Sequence, residues 1–296
     1  MKIAITGARG RLGKLLRCHF EALGHDVLAF SRNADAAHRP LVGLLDKIEE
    51  DDMDVLLHLA WSTVPTTAEV VPGVEWREDL PLLASMLSSL AKRQSKDNRS
   101  PLLVFFSSCA VYGEPKDTQV FKESDEVSPK GWYAAGKLAA EQLITRFHQE
   151  EGVRTLILRV TNPYGFSQGQ QHLQGVIPAL VSAAQSGKPF VSWGDGQALK
   201  DYLHVADFCS ALDLVIQMQP LGMLNLGSGS SVTLQQVIEV VESASGASID
   251  ILHEPARPWD VTGGRYSKDA VHAHLGWQPE VTLTEGIRQC VSAMAG

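Results

Sequence analysis

The sequence predicts an α/β fold: a doubly wound parallel sheet followed by a smaller, discontinuous α/β part towards the C-terminus. Three observations carry this. Short apolar runs at 3–6, 27–30, 55–59, 102–107 and 155–159 alternate with helical patterns, notably at 80–93 and 133–150; such alternation builds a parallel sheet with helices on both faces and ligand at the strand C-termini. A glycine-rich turn, Gly7 to Gly13, directly follows the first run. After Gly165 the alternation gives way to a Gln- and Gly-rich stretch and a mixed pattern. The expected division is 1–165 plus about 201–226 for a dinucleotide-binding domain, and about 166–200 with 227–296 for the second.

In chain order, Ile3-Ala4-Ile5-Thr6 is an apolar strand with no polar lead-in. It runs into Gly7-Ala8-Arg9-Gly10-Arg11-Leu12-Gly13. Leu12, Leu15, Leu16, Phe20 and Leu23 then share one side of a helix that Gly24 ends, and 26–30 is the next strand. Strand, glycine turn, helix and strand make the unit that cradles a dinucleotide. Glycines let the backbone approach the pyrophosphate, and the helix N-terminus offers it free N–H groups. The spacing is G-x-x-G-x-x-G, not G-x-G-x-x-G, and an ordinary glycine turn is the alternative. The second strand ends Phe30-Ser31-Arg32. An acidic residue there holds the ribose 2′-OH of NAD, whereas an arginine accommodates a 2′-phosphate. Arg32 therefore leans to NADP, against a solvent-facing arginine; Arg9 and Arg11 face phosphates or water.

Further on, Tyr133-Ala134-Ala135-Gly136-Lys137 places Tyr133 and Lys137 four residues apart, on one face of a helix. An ammonium beside a phenol favours phenolate, so the Tyr133 pKa is expected to fall towards neutrality, suiting a general acid or base. The polar stretch 93–101 reads as a surface loop. Residues 166–175 are a candidate lid or a plain surface loop. Then come a helix at 176–186, a short strand at 189–192, runs at 201–205 and 224–226 that return to the first domain, a helix at 234–245, a strand at 250–252 and a helix at 283–294.

Together these residues resemble the extended short-chain dehydrogenase/reductases of the NAD-dependent nucleotide-sugar epimerase/dehydratase type, close to UDP-glucose 4-epimerases. Thr6 to Gly13, Val55-Leu56-Leu57-His58-Leu59-Ala60, Phe105 to Gly113, Tyr133 with Lys137 and Arg159 to Gly165 match in order. Trp193-Gly194-Asp195-Gly196, Lys200 to Asp207, Asn225 to Gly229 and Leu275 to Pro279 follow. The resemblance implies a Rossmann domain with Ser108, Tyr133 and Lys137 as the catalytic trio. Ser108 orients the reacting sugar oxygen, Tyr133 exchanges the proton and Lys137 holds the nicotinamide ribose. It implies a cofactor site of Gly7, Arg9, Gly10, Arg11, Leu12, Gly13, Ser31, Arg32, Leu59, Ala60, Trp61 and Ser107 with Tyr133 and Lys137. Asn162, Lys200 and Arg257, with Ser108, would hold a nucleotide-diphosphate sugar. A homodimer through the helices at 80–93 and 133–150 is implied too. The chain departs from the family pattern at Asp79, where an Asn is common, at Gly43-Leu44-Leu45, where an Asp near the adenine is common, and at Pro129 to Trp132, which bring bulky neighbours to Tyr133. Cys109-Ala110 stands where dehydratases carry Asp-Glu, which argues against dehydration.

The 296 residues suffice for one large domain or two joined ones, and 44% apolar residues for a real core. A net charge of −8 gives no global attraction for nucleic acid or an anionic membrane, so an anionic ligand must be held by local arginines and helix ends. No run approaches the length of a membrane span. The chain opens on its first strand, so no signal peptide is expected. Cys18, Cys109, Cys209 and Cys290 are scattered without metal or disulfide spacing, and the 10 histidines form no ligand motif; no metal is expected, and a reducing cytoplasm fits. Three functions stand open: an NAD(P)-dependent nucleotide-sugar 4-epimerase, an NADPH-dependent 4-ketoreductase of a nucleotide-linked deoxysugar, and a dinucleotide sensor with a dead site. The intact trio opposes the last.

Overall fold

The computed structural model describes residues 1–33, 35, 37–50, 53–97, 100–166 and 175–295. In chain order these form β1 Lys2–Thr6, α1 Arg11–Ala22, β2 Asp26–Ser31, β3 Arg39–Pro40, α2 Leu44–Glu50, β4 Val55–His58, α3 Pro65–Val70, a π-helical turn Glu75–Asp79, α4 Leu80–Asp97, β5 Leu102–Ser108, β6 Val120–Phe121, α5 Gly131–Glu151 and β7 Thr155–Val160. Then follow β8 Asn162–Tyr164, α6 Val176–Ser186, β9 Phe190–Trp193, β10 Lys200–His204, α7 Val205–Met218, β11 Gly222–Leu226, β12 Ser231–Val232, α8 Leu234–Ser245, β13 Ile251–Glu254, β14 Arg265–Tyr266, α9 Asp269–Leu275 and α10 Leu283–Ala295.

Seven strands make one sheet in the order β11-β7-β5-β4-β1-β2-β3. β1 runs parallel to β2 on one side, with Thr6 opposite Phe30, and to β4 on the other, with Thr6 opposite His58. Strand order reverses between β1 and β4, so their C-terminal ends open the crevice where such sheets take a ligand. The fold is the expected doubly wound Rossmann sheet with a smaller C-terminal α/β part. The chain forms two compact units. The first comprises Met1–Val111, Pro129–Arg159 and Val215–Leu224. Its core on one face of the sheet joins Leu56, Leu103 and Phe105 to Leu83, Met86 and Leu87 of α4 and to Ala140 and Ile144 of α5. The second comprises Tyr112–Ser128, Val160–Leu214 and Asn225–Gly296. It packs Leu180, Val237, Val241 and Ile287 of three helices together.

Three readings of the sequence change. Residues 93–97 continue α4: Arg93 is only 9% exposed and donates to the Ile48 carbonyl at 2.9 Å, and Lys, Arg and Gln are good helix formers whose polarity imitates a loop. Residues 201–205 do not return to the first sheet. Lys200–His204 pairs with Asn162–Tyr164 and Ser231–Val232 in the second unit, and only Gly222–Leu226 rejoins. Leu23, expected on the apolar side of α1, lies beyond its end and is 54% exposed. Most of the candidate lid, 167–174, lies outside the described residues. Among those residues no helix is long and apolar enough to cross a membrane, none group as metal ligands, and no cysteine is in a disulfide.

Candidate active site

The glycine turn at the end of β1 is pressed between two backbones. Gly7 adopts φ +67°, and a Cβ there would stand 2.8 Å from the Ala60 nitrogen; a Cβ at Gly13 would stand 2.2 Å from the Gly7 carbonyl oxygen. Helix α1 starts at this turn with no side-chain cap and no acidic residue in its first turn, so its N–H groups are open to an anion. Across the crevice Thr6 Oγ1 accepts from the Ala60 N–H at 3.2 Å and lies 2.7 Å from His58 Nδ1. Burial holds His58 neutral, its pKa pushed down to about 3.

Here the sheet edge encloses a cavity of about 380 Å³. Eight of the expected cofactor residues line it: Gly7, Arg9, Gly10, Ser31, Arg32, Leu59, Ala60 and Trp61. Arg11, Leu12 and Gly13 lie in the first turn of α1. Glu78 and Asp79 join the lining, which sequence reasoning missed as site residues. Both outer arginines have acidic neighbours, Arg32 with Glu78 at 3.7 Å and Arg9 with Asp35 at 3.2 Å. Asp79 accepts from the Ser62 N–H (3.0 Å to Oδ1) and hydroxyl (2.9 Å), while burial pushes its carboxyl pKa up. A glycine cradle that any Cβ would fill, an uncapped helix end and a cavity on the switch point fit a dinucleotide.

The catalytic candidates gather at the ends of β5 and α5. Ser108 closes β5, and its hydroxyl bonds the Tyr133 side chain. Lys137 is 5% exposed; its ammonium donates to the Phe106 carbonyl at 2.8 Å and lies 3.9 Å from the Trp61 ring centroid and 5.9 Å from that of Tyr133. Burial lowers the Lys137 pKa to about 7, against the pull of Asp79, Glu141 and Glu75. The expected fall of the Tyr133 pKa does not occur. Burial pushes it up to about 12, the Ser108 bond lowers it and the Glu75 charge adds to the rise. The spacing placed the two side chains on one face, but it carried no information on desolvation, which outweighs the lowering by the Ser108 bond.

Glu75 was legible only indirectly. It is fully buried, accepts from the Thr63 hydroxyl through Oε1, and its Oε2 has no hydrogen-bond partner. A Cβ on Gly136 would stand 2.8 Å from Glu75 Cγ and 3.4 Å from the Trp61 ring. A glycine inside a helical pattern marks such a close approach, and this was the available signal. Below it, Glu141 of α5 takes three bonds from Arg159, the shortest 2.7 Å, and a fourth from the Ser107 hydroxyl. The Ser107 side chain, expected at the cofactor, is therefore spent on the core.

The substrate candidates lie in the second unit. The Asn162 amide donates to the Asp201 carbonyl at 2.8 Å. Lys200 is largely buried, and that burial lowers its pKa, while the charges of Asp260 and Glu114 raise it. Arg257 stacks on the exposed Trp193 ring at 4.1 Å, a cation–π contact.

Comparison with known proteins agrees with this arrangement. The family model for the NAD dependent epimerase/dehydratase family matches residues 3–227. The low-salt glycan biosynthesis protein Agl12 of Haloferax volcanii is 32% identical over 190 residues, 63% of this chain and 59% of that protein, so the match spans little more than half its length. The UDP-glucose 4-epimerase of Corynebacterium glutamicum is 26% identical over 308 residues, covering 95% of this chain and 92% of that one. The crystal structure of the Thermus thermophilus UDP-glucose 4-epimerase in complex with NAD matches with a TM-score of 0.88 at 25% identity, over 100% of this chain and 99% of that one. Fold and glycine turn agree with the family match over most of the chain: this protein belongs to the NAD dependent epimerase/dehydratase family.

Proposed function

We propose that this enzyme is a nucleotide-sugar 4-epimerase acting through a 4-keto sugar. The observation that carries the reading is Ser108, Tyr133 and Lys137 together at the strand ends beside the dinucleotide cavity. When bound, NAD supplies reversible hydride exchange with sugar C4. Tyr133 exchanges the proton of the C4 oxygen, and Ser108 bonds that oxygen in either orientation of the sugar. Lys137, its ammonium 5.9 Å from the Tyr133 ring centroid, would hold the nicotinamide ribose. Asn162, Lys200 and Arg257 anchor the nucleotide diphosphate. Tyr133→Phe is expected to lose more than nine-tenths of turnover in an epimerase assay; a variant retaining more than a tenth contradicts the assignment.

A second reading, an NADPH-dependent 4-ketoreductase of a nucleotide-linked deoxysugar, draws on Arg32 and Arg9 at the cavity rim. Arg32 is 72% exposed and paired with Glu78, so a 2′-phosphate must compete with that carboxylate. Mass spectrometry of nucleotide released on denaturation separates the two. Stoichiometric NAD⁺ supports the redox-neutral epimerase; an empty protein that binds NADPH far better than NADH supports the reductase. Arg32→Glu shifts preference towards NAD if Arg32 reads the phosphate, and unchanged selectivity removes that argument. The same reading carries a homodimer through α4 and α5, supported by Leu143 and Phe147, which are only partly covered within the chain; sedimentation equilibrium tests it. Four cysteines outside any disulfide suit a reducing cytoplasm.

A further inference from the structure

Around the Lys137 ammonium stand three carboxylates: Glu141 on its own helix, and Glu75 and Asp79 on the π-helical turn. Glu141 is neutralised by Arg159 at 2.7 Å. Among the described residues neither Glu75 nor Asp79 pairs with a lysine or arginine; their polar partners are the hydroxyl of Thr63 and the N–H and hydroxyl of Ser62. Nearby His58 is neutral. With both acids ionised, two carboxylates against one ammonium leave the pocket one negative charge in excess. Both acids are at most 5% exposed, and Glu75 keeps one oxygen without any partner. An unpaired buried carboxylate oxygen is costly, yet the catalytic helix gives up a side chain at Gly136 to admit it.

A nicotinamide ring carries one positive charge when oxidised and none when reduced, while the rest of the dinucleotide is unchanged. We propose that Glu75, assisted by Asp79, makes this pocket select the oxidised cofactor, its excess negative charge favouring the cationic ring over the neutral one. The inference rests on the reading of the pocket as a dinucleotide site with Lys137 at the nicotinamide end. It deepens that reading: such a pocket holds its cofactor oxidised between turnovers, as a redox-neutral cycle requires.

The test is equilibrium binding, with no turnover. Isothermal titration calorimetry gives the affinities of the wild-type protein, exchanged free of carried nucleotide, for NAD⁺ and NADH, and for NADP⁺ and NADPH. Wild type is expected to bind the oxidised member of its preferred pair more tightly. Glu75→Gln keeps the size of the side chain and an acceptor for Thr63, and is expected to lower the oxidised-to-reduced affinity ratio roughly tenfold, the scale of one nearby charge in a partly shielded site. Asp79→Asn is expected to move the ratio the same way by less. A wild-type ratio of one or below overturns the proposal, and so does an unchanged ratio in folded Glu75→Gln. If Glu75→Gln does not fold, the wild-type ratio and Asp79→Asn decide by the same criteria. Failure of wild type to bind any of the four dinucleotides overturns instead the reading of the site itself.

Discussion

Gly136 stands between the two residues that the motif makes conspicuous, and its role lies in what it lacks. With a Cβ it would meet Glu75 Cβ at 2.9 Å and Cγ at 2.8 Å. Gly136→Ala is therefore expected to destabilise the protein by about 1–3 kcal/mol through overpacking, although alanine is the better helix former. Urea denaturation measures this, and a double-mutant cycle with Glu75→Ala should recover most of the loss; additive effects would place the strain elsewhere. Tyr133 shows the limit of reading a residue by its spacing. Its neighbour Lys137 directs its ammonium to the Phe106 carbonyl and the Trp61 ring, and burial pushes the phenol pKa up to about 12.

Two elements carry the site, each for a reason of its own. Helix α1 can begin only because Gly13 admits the Gly7 carbonyl, where a Cβ would stand 2.2 Å away. Gly13→Val is expected to abolish dinucleotide binding by calorimetry while costing several kcal/mol of stability, since backbone atoms rather than a flexible side chain are displaced. Helix α5 is fixed from below by Glu141, which is 2% exposed, bonded to Arg159, which is 4% exposed. Removing one member leaves a buried charge unpaired, so Glu141→Ala should cost about 3–5 kcal/mol. Replacing both by apolar side chains should cost less than either single change, as denaturation midpoints would reveal. Strands β1, β2, β4, β5 and β7 were legible as apolar runs. The end of α4 was not, because a charged helix tail and a loop share a composition. Nor was the partner of 201–205, because an apolar run does not encode which sheet it joins.

At the scale of the whole molecule, Lys137 links stability to pH. Its ammonium titrates near 10.5 in an unfolded chain and near 7 when folded. Its contribution is fully present above the unfolded value and is lost as pH falls through the folded one. Between these values the unfolded chain binds more protons, so stability gains with rising pH by up to about 1.4 kcal/mol per unit. Cofactor-free wild type should therefore gain on Lys137→Met from pH 7 to pH 9 in urea unfolding. A constant difference across that range would mean that Lys137 is not desolvated as described.

Taken alone, the sequence determined the fold class and the glycine turn and singled out Ser108, Tyr133 and Lys137 as candidates, because periodicity and spacing are local to each element. It also reached the cavity residues that follow strands, since strand C-termini converge by topology. Tertiary structure decided the rest. Glu75 and Asp79 came to flank Lys137, Ser107 turned into the core, and 201–205 joined β8 and β12. It set the proton affinities of Tyr133 and Lys137 as well. The physical reason is that desolvation and charge pairing depend on which distant segments meet in space, and no pattern within either segment records the other.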